Sequence, residues 1–217
     1  MYFRGTIIGL AILIFLVAVF AVIGGQSNRI NDLHNQIVVC EQKAKVSLSA
    51  AHDEAEDMKE TLDMATEFHF DPAIVFIVRK YAKDSYSKDN VAWRFIPSAN
   101  YAAYLMCSMI YVESKGIPDT VGDHGKAVGL TQIWLSTAND YEKISKEDLL
   151  DPDNNIRISF MHFQKLLEKY NGNFALALYA WNRGSSKVDK LIRYGEPVEN
   201  DYGAKIYRAA LNVQSTR

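Results

Sequence analysis

Glu113 is the residue of this 217-residue chain best placed for proton chemistry. It follows an apolar run containing Ala102, Leu105, Met106, Met109 and Ile110, opened by Pro97-Ser98 and stopped by Gly116 and Pro118. The spacing predicts a helix with Glu113 at its C-terminal end. A carboxyl there is partly desolvated and close to unpaired helix-end carbonyls. Both effects disfavour the charged form and raise its pKa, the state a general acid for glycosidic cleavage requires. Taken alone, the same pattern also describes an ordinary solvated glutamate at a helix end.

Four further segments follow in order. Gly129-Leu130-Thr131-Gln132-Ile133 closes a glycine-punctuated loop that also holds Gly122 and Gly125. Asp151-Pro152 with Asn155-Ile156 opens a long amphipathic stretch, Ala180-Trp181-Asn182-Arg183-Gly184 ends another, and Glu199 precedes Tyr202. Together with Glu113-Ser114, this series resembles the soluble lytic transglycosylase (SLT) family, a branch of the goose-type lysozyme superfamily. The likeness runs from Tyr101 to Leu211, about half the chain.

The resemblance implies a lysozyme-like helical fold and cleavage of the β-1,4 bond between N-acetylmuramic acid and N-acetylglucosamine in peptidoglycan. Glu113 matches the family's single catalytic acid, which protonates the leaving oxygen. It then serves as base for the muramyl 6-hydroxyl, closing a 1,6-anhydro ring. No metal or other cofactor is implied. Ser114, Gln132, Trp134, Ala180, Trp181, Asn182 and Tyr202 would line the sugar groove. Gln132 would supply amide donors and acceptors, the tryptophans flat apolar faces, and Asn182 a bond near the scissile sugar or to Glu113. Tyr202 would close over the groove and hydrogen-bond to the Glu113 carboxyl. The chain departs from the family at Thr131, where methionine is favoured, and at Trp181, where tyrosine is usual. Glu199 and Tyr202 also stand one residue closer together than expected.

Other outcomes stay open. Asp123, in the loop with Asp119 and His124, could position a water and make the enzyme a hydrolysing muramidase; carboxyls about 6.5–9.5 Å apart suit that route. Its plainer reading is a turn residue. A non-catalytic module that binds glycan or scaffolds an assembly is the reading from another class.

These residues must be carried by a scaffold, and composition narrows it. With 48% apolar residues the chain is not disordered, and 24 basic against 26 acidic residues argue against a nucleic-acid binder. Cys40 and Cys107 make neither a disulfide framework nor a thiolate metal cluster. Residues 1–28 read as a transmembrane anchor, since Gly5 to Asn28 carries no charge and Ile7 to Ile23 is apolar or glycine throughout. A cleaved signal peptide is the competing reading, although its apolar region is usually about 7–15 residues. Arg4 before the span favours a cytoplasmic N-terminus. The rest would then lie in the periplasm of an inner-membrane protein, or accompany a virion if phage-encoded.

Residues 29–66 read as a helical stalk about 54 Å long. Its seam is Ile30, Leu33, Ile37, Cys40, Ala44, Leu48, Ala51, Ala55, Met58, Leu62 and Ala65, spaced by threes and fours. Homo-oligomerisation through this thin seam is one reading, and a helix folded back on the C-terminal domain is the other. Residues 67–217 suffice for one compact catalytic domain, mainly α and α+β at most. Helices are predicted from Pro72, Pro97, Asp153, Phe174, Ser186 and Tyr202, with at most a hairpin around Val128 to Ile133. Residues 84–97 read as a polar linker in which Trp93 and Phe95 have no assigned role.

Overall fold

The computed structural model describes residues 27–87, 92–93 and 96–214. The membrane span expected at 1–28 lies, but for its last two residues, outside them, as does Phe95. Among the described residues no helix is long and apolar enough to cross a membrane.

The chain divides between Asp57 and Met58 into two units. The first is the helical segment of α1 (Ser27–Phe68), where the expected seam residues Cys40, Ala44, Leu48, Ala51 and Ala55 are exposed. In the second unit the last turns of α1 bury Thr61, Met64, Ala65 and Phe68, while Leu62 of the expected seam faces solvent. The face in use keeps Ala65 of the heptad seam but takes Thr61 and Met64 in place of Leu62. His69 ends the helix in the left-handed region (φ 56), and the Phe70 amide donates to the Ala65 carbonyl at 2.9 Å. This returns the chain so that Phe70 stacks on Phe68, ring centroids 5.4 Å apart.

Asp71 then caps α2 (Pro72–Ser87), accepting from the Ala73 amide at 2.9 Å, with Pro72 preset for the first helical position. Its Ile74, Val75, Val78 and Ala82 pack toward α3 (Ala99–Glu113) and α6 (Pro152–Lys169). Ser98 caps α3, accepting from the Tyr101 amide. Ala102, Ala103 and Leu105 to Ile110 are all buried, so α3 is apolar on nearly every side and forms the central helix. It packs against α2 and against α9 (Asp201–Gln214). Cys107 sits in this core beside Met64, 3.7 Å from its sulfur, and burial pushes its thiol pKa up. It behaves as a small hydrophobe.

After α3 come β1 (Val121–Gly122), a single 3-10 turn (Asp123–Gly125), β2 (Ala127–Val128) and β3 (Ile133–Trp134). The strands form an antiparallel sheet in the order β1-β2-β3, pairing Val121 with Val128 and Val128 with Ile133. The expected hairpin is present, and β1 adds a strand too short to show alternation. Short α4 (Leu135–Ala138) and α5 (Lys146–Leu149) lead to α6, which Asp151 caps through the Asn154 amide. Then follow α7 (Phe174–Arg183), capped by Asn173, and α8 (Ser185–Tyr194), ended by left-handed Gly195.

The mainly helical architecture agrees with the sequence reading. The reading of 84–97 as a polar linker needs correction. Residues through Ser87 continue α2, while Ala92, Trp93 and Ile96 are buried, with Trp93 packed on Phe160 and Phe163. A smaller cluster of Val128, Ile133, Ala138, Leu149 and Ile158 lies under the sheet, and Trp181 packs against both cores.

Candidate active site

Glu113 emerges where the central helix ends, on the wall of a cleft of about 660 Å³. Burial pushes its carboxyl pKa above the ordinary value. The Tyr202 hydrogen bond, the neighbouring Trp181 side chain and the charge of Lys205 act the other way and do not cancel it. The Tyr202 hydroxyl, on α9, donates to Oε1 at 2.6 Å. Tyr202 is only 4% exposed, and its burial beside the carboxyl holds its own pKa well above the usual phenol value. It therefore stays a donor throughout the neutral range. Ser114 stands behind the wall rather than on it. Its hydroxyl donates to the Ile110 carbonyl and accepts from the Gly116 amide, ending the helix.

The glycine loop is fixed by a buried polar knot. Asn155 Oδ1 accepts from the Thr131 amide and hydroxyl, at 3.0 and 2.8 Å. Its Nδ2 donates to the carbonyls of Val128 and Leu149, at 2.9 and 3.0 Å. All the hydrogen-bonding capacity of that amide is thus used. Ser159 donates to the Asn155 carbonyl and lies 2.6 Å from the Thr131 hydroxyl. The Thr131 hydroxyl is a working part of this knot, and a thioether at that position could not replace it. Gly129 has φ 74, and a Cβ there would fall 2.4 Å from Asn155 Nδ2 and 2.9 Å from the Leu149 carbonyl. No larger residue fits.

Gln132 lines the cleft, but its Nε2 donates to the carbonyls of Thr120 (2.9 Å) and Gly129 (2.8 Å). Its donors hold the loop and its Oε1 packs over Gly122, where a Cβ would come within 2.4 Å. Trp134 is 46% exposed on the same cleft, with Lys126 Nζ 5.3 Å from its ring. Ala180, Trp181 and Asn182 line it from the end of α7. Asn182 reaches neither Glu113 nor Tyr202; its Oδ1 accepts from Asn200 at 2.9 Å. The expected set therefore gathers around one cleft, with Ser114 as its support and Tyr202 behind Glu113. Glu199 is exposed and lies off the cleft.

Asp123 also lines the cleft. It and His124 are consecutive left-handed residues, φ 46 and 54. The sequence reading missed Thr137, Asp140 and His162, which complete the wall. His162 Nδ1 lies 2.9 Å from the Tyr141 hydroxyl. Burial, aided by Lys165, lowers its pKa to about 4, and burial raises that of Tyr141 to about 12. The available signal was spacing, because His162 falls four residues after Ile158 and four before Leu166, on the buried face of α6. Among the described residues no cluster of three or more His, Cys, Asp or Glu is arranged to hold a metal ion.

Residues 98–201 match the family model described as the transglycosylase SLT domain. No solved structure matches the chain.

Proposed function

On the premise that residues 98–201 belong to the SLT family, whose members are lytic transglycosylases acting on peptidoglycan, we propose that Glu113 is the single catalytic acid and base. Its carboxyl proton passes to the glycosidic oxygen as the bond to muramyl C1 breaks. The resulting carboxylate takes the proton of the muramyl 6-hydroxyl, and O6 bonds to C1 to close the 1,6-anhydro ring. No water is consumed. The observation that carries this reading is the half-buried Glu113 carboxyl with a raised pKa, held at Oε1 by a permanent phenol donor. Burial keeps the proton available for the first step. The Tyr202 hydroxyl then stabilises the carboxylate between the steps and fixes its orientation.

The test digests peptidoglycan with the full chain and reads the released fragments by mass spectrometry. Anhydromuramyl ends are expected, and their dependence on Glu113 is checked with Glu113→Gln. Reducing ends would instead establish hydrolysis, for which Asp123 on the same cleft is the second carboxylate. Equal release by wild type and Glu113→Gln would overturn the role of Glu113, and no release by either would leave only a glycan-binding module.

The uncharged stretch Gly5 to Asn28 supports a retained single-pass anchor in the inner membrane, with the catalytic domain in the periplasm. The domain would open the wall locally, for phage passage, a secretion machine or wall turnover. Protease added to spheroplasts should then remove the domain, while intact cells protect it.

A further inference from the structure

The wall completed by α6 carries a histidine that the proton transfers at Glu113 do not use. His162 lines the cleft, and its Nδ1 is engaged by the Tyr141 hydroxyl at 2.9 Å. Among the described residues its Nε2 has no protein partner. Its ring packs 5.2 Å from that of Trp181, which lines the same cleft as Glu113. The imidazole and the reacting carboxyl therefore belong to the wall of one cleft.

We propose that His162 is a substrate contact: its Nε2 hydrogen-bonds a hydroxyl or acetamido group of an aminosugar in the cleft, with Tyr141 fixing the ring. This rests on the glycan-cleaving reading above. Each part of the pair suits the task. The Tyr141 ring meets the imidazole edge-on, at 5.8 Å and 75°, so the histidine has little rotational freedom. Nδ1 is tied to the tyrosine, which leaves Nε2 as the free polar atom of the ring. Because the imidazole is uncharged at neutral pH, it can pair with an uncharged sugar group without desolvating a cation. A partner of that kind fits a chain of near-neutral net charge, with 24 basic against 26 acidic residues.

The test uses the full chain carrying Glu113→Gln, so that binding is measured without turnover, and a β-1,4-linked N-acetylglucosamine tetramer as probe. Adding His162→Phe should weaken the probe's Kd about tenfold, the upper range for one net hydrogen bond. His162→Gln should restore most of the affinity, because its amide nitrogen can reach the place of Nε2. Tyr141→Phe should cost about threefold by loosening the ring. In the active chain, His162→Phe should raise KM and leave both kcat and the alkaline limb of the pH profile in place. Unchanged probe affinity in His162→Phe, or a fall in kcat at constant KM, would overturn the assignment. If wild type forms anhydromuramyl ends and His162→Phe behaves identically, only this inference falls. If wild type cleaves nothing yet binds the tetramer through His162, the contact stands and the cleavage reading falls.

Discussion

Two polar clusters flank the cleft and are built in opposite ways. In the Thr131–Asn155–Ser159 knot every donor and acceptor of the Asn155 amide has a partner, and all three residues are fully buried and uncharged. At the Glu113–Tyr202 corner an ionisable group is half-buried with few donors, so its charged form is disfavoured. The first arrangement holds a strained loop still, and the second keeps a proton ready to leave. The difference teaches that burial of polar groups in this domain serves rigidity where satisfaction is complete and reactivity where it is not.

Replacing the reactive group should have the largest effect. Glu113→Gln preserves shape and the acceptor for Tyr202 but removes the proton. Release of anhydromuramyl fragments should fall by about 10³-fold or more, within the range for losing a positioned acid-base group. Circular dichroism should remain that of wild type. The knot should fail differently. Asn155→Ala strands the Thr131 amide and the carbonyls of Val128 and Leu149, so unfolding free energy should drop by about 3 kcal/mol. Urea denaturation measures this, and a chain kept folded at low temperature should retain much of its activity. If Asn155→Ala abolished turnover without loss of stability, the contrast between the clusters would be wrong.

The Tyr202 bond tests the corner more finely. It lowers the Glu113 pKa against the dominant effect of burial. Tyr202→Phe should therefore raise that pKa further and move the alkaline limb of the pH–rate profile to higher pH. Because the carboxylate also loses its donor between the two steps, kcat should fall about tenfold at neutral pH. A limb that moved to lower pH would contradict the assigned role.

How much of this could be read beforehand depended on whether a signal was periodic. The helices were legible because capping residues and apolar spacing coincide, as at Asp71-Pro72 and Asp151-Pro152. Trp93 was not, since an isolated aromatic in a polar stretch has no period to reveal its burial. Leu62 was misplaced for the opposite reason: its heptad spacing is good, but tertiary packing chose the face of Thr61, Met64 and Phe68. Among site residues, Glu113 and its bond to Tyr202 were anticipated from motif order, even with the shortened distance from Glu199. The commitments of Gln132 to two carbonyls and of Asn182 to Asn200 were hidden, because an amide's partner depends on loop geometry and not on residue type. His162 was overlooked because a histidine on an apolar helical face looks like packing until the cleft beside it is seen.

The smallest expected effect concerns stability and separates the two clusters by their response to pH. Glu113 has a folded-state pKa above the unfolded reference of 4.5, so the native state holds its proton more tightly than the unfolded chain does. Below the reference value both states are protonated and the group contributes nothing. As pH rises through the folded-state value the native chain must give up the proton, and stability declines. Glu113→Gln removes that decline. Its melting temperature should exceed that of wild type by a few degrees at pH 8, and the gap should close as pH falls to about 4. The knot contains no group that titrates in this window, so the loss caused by Asn155→Ala should be the same at both pH values. A gap for Glu113→Gln that widened toward acid would mean the carboxylate, and not the acid, is the form the fold prefers.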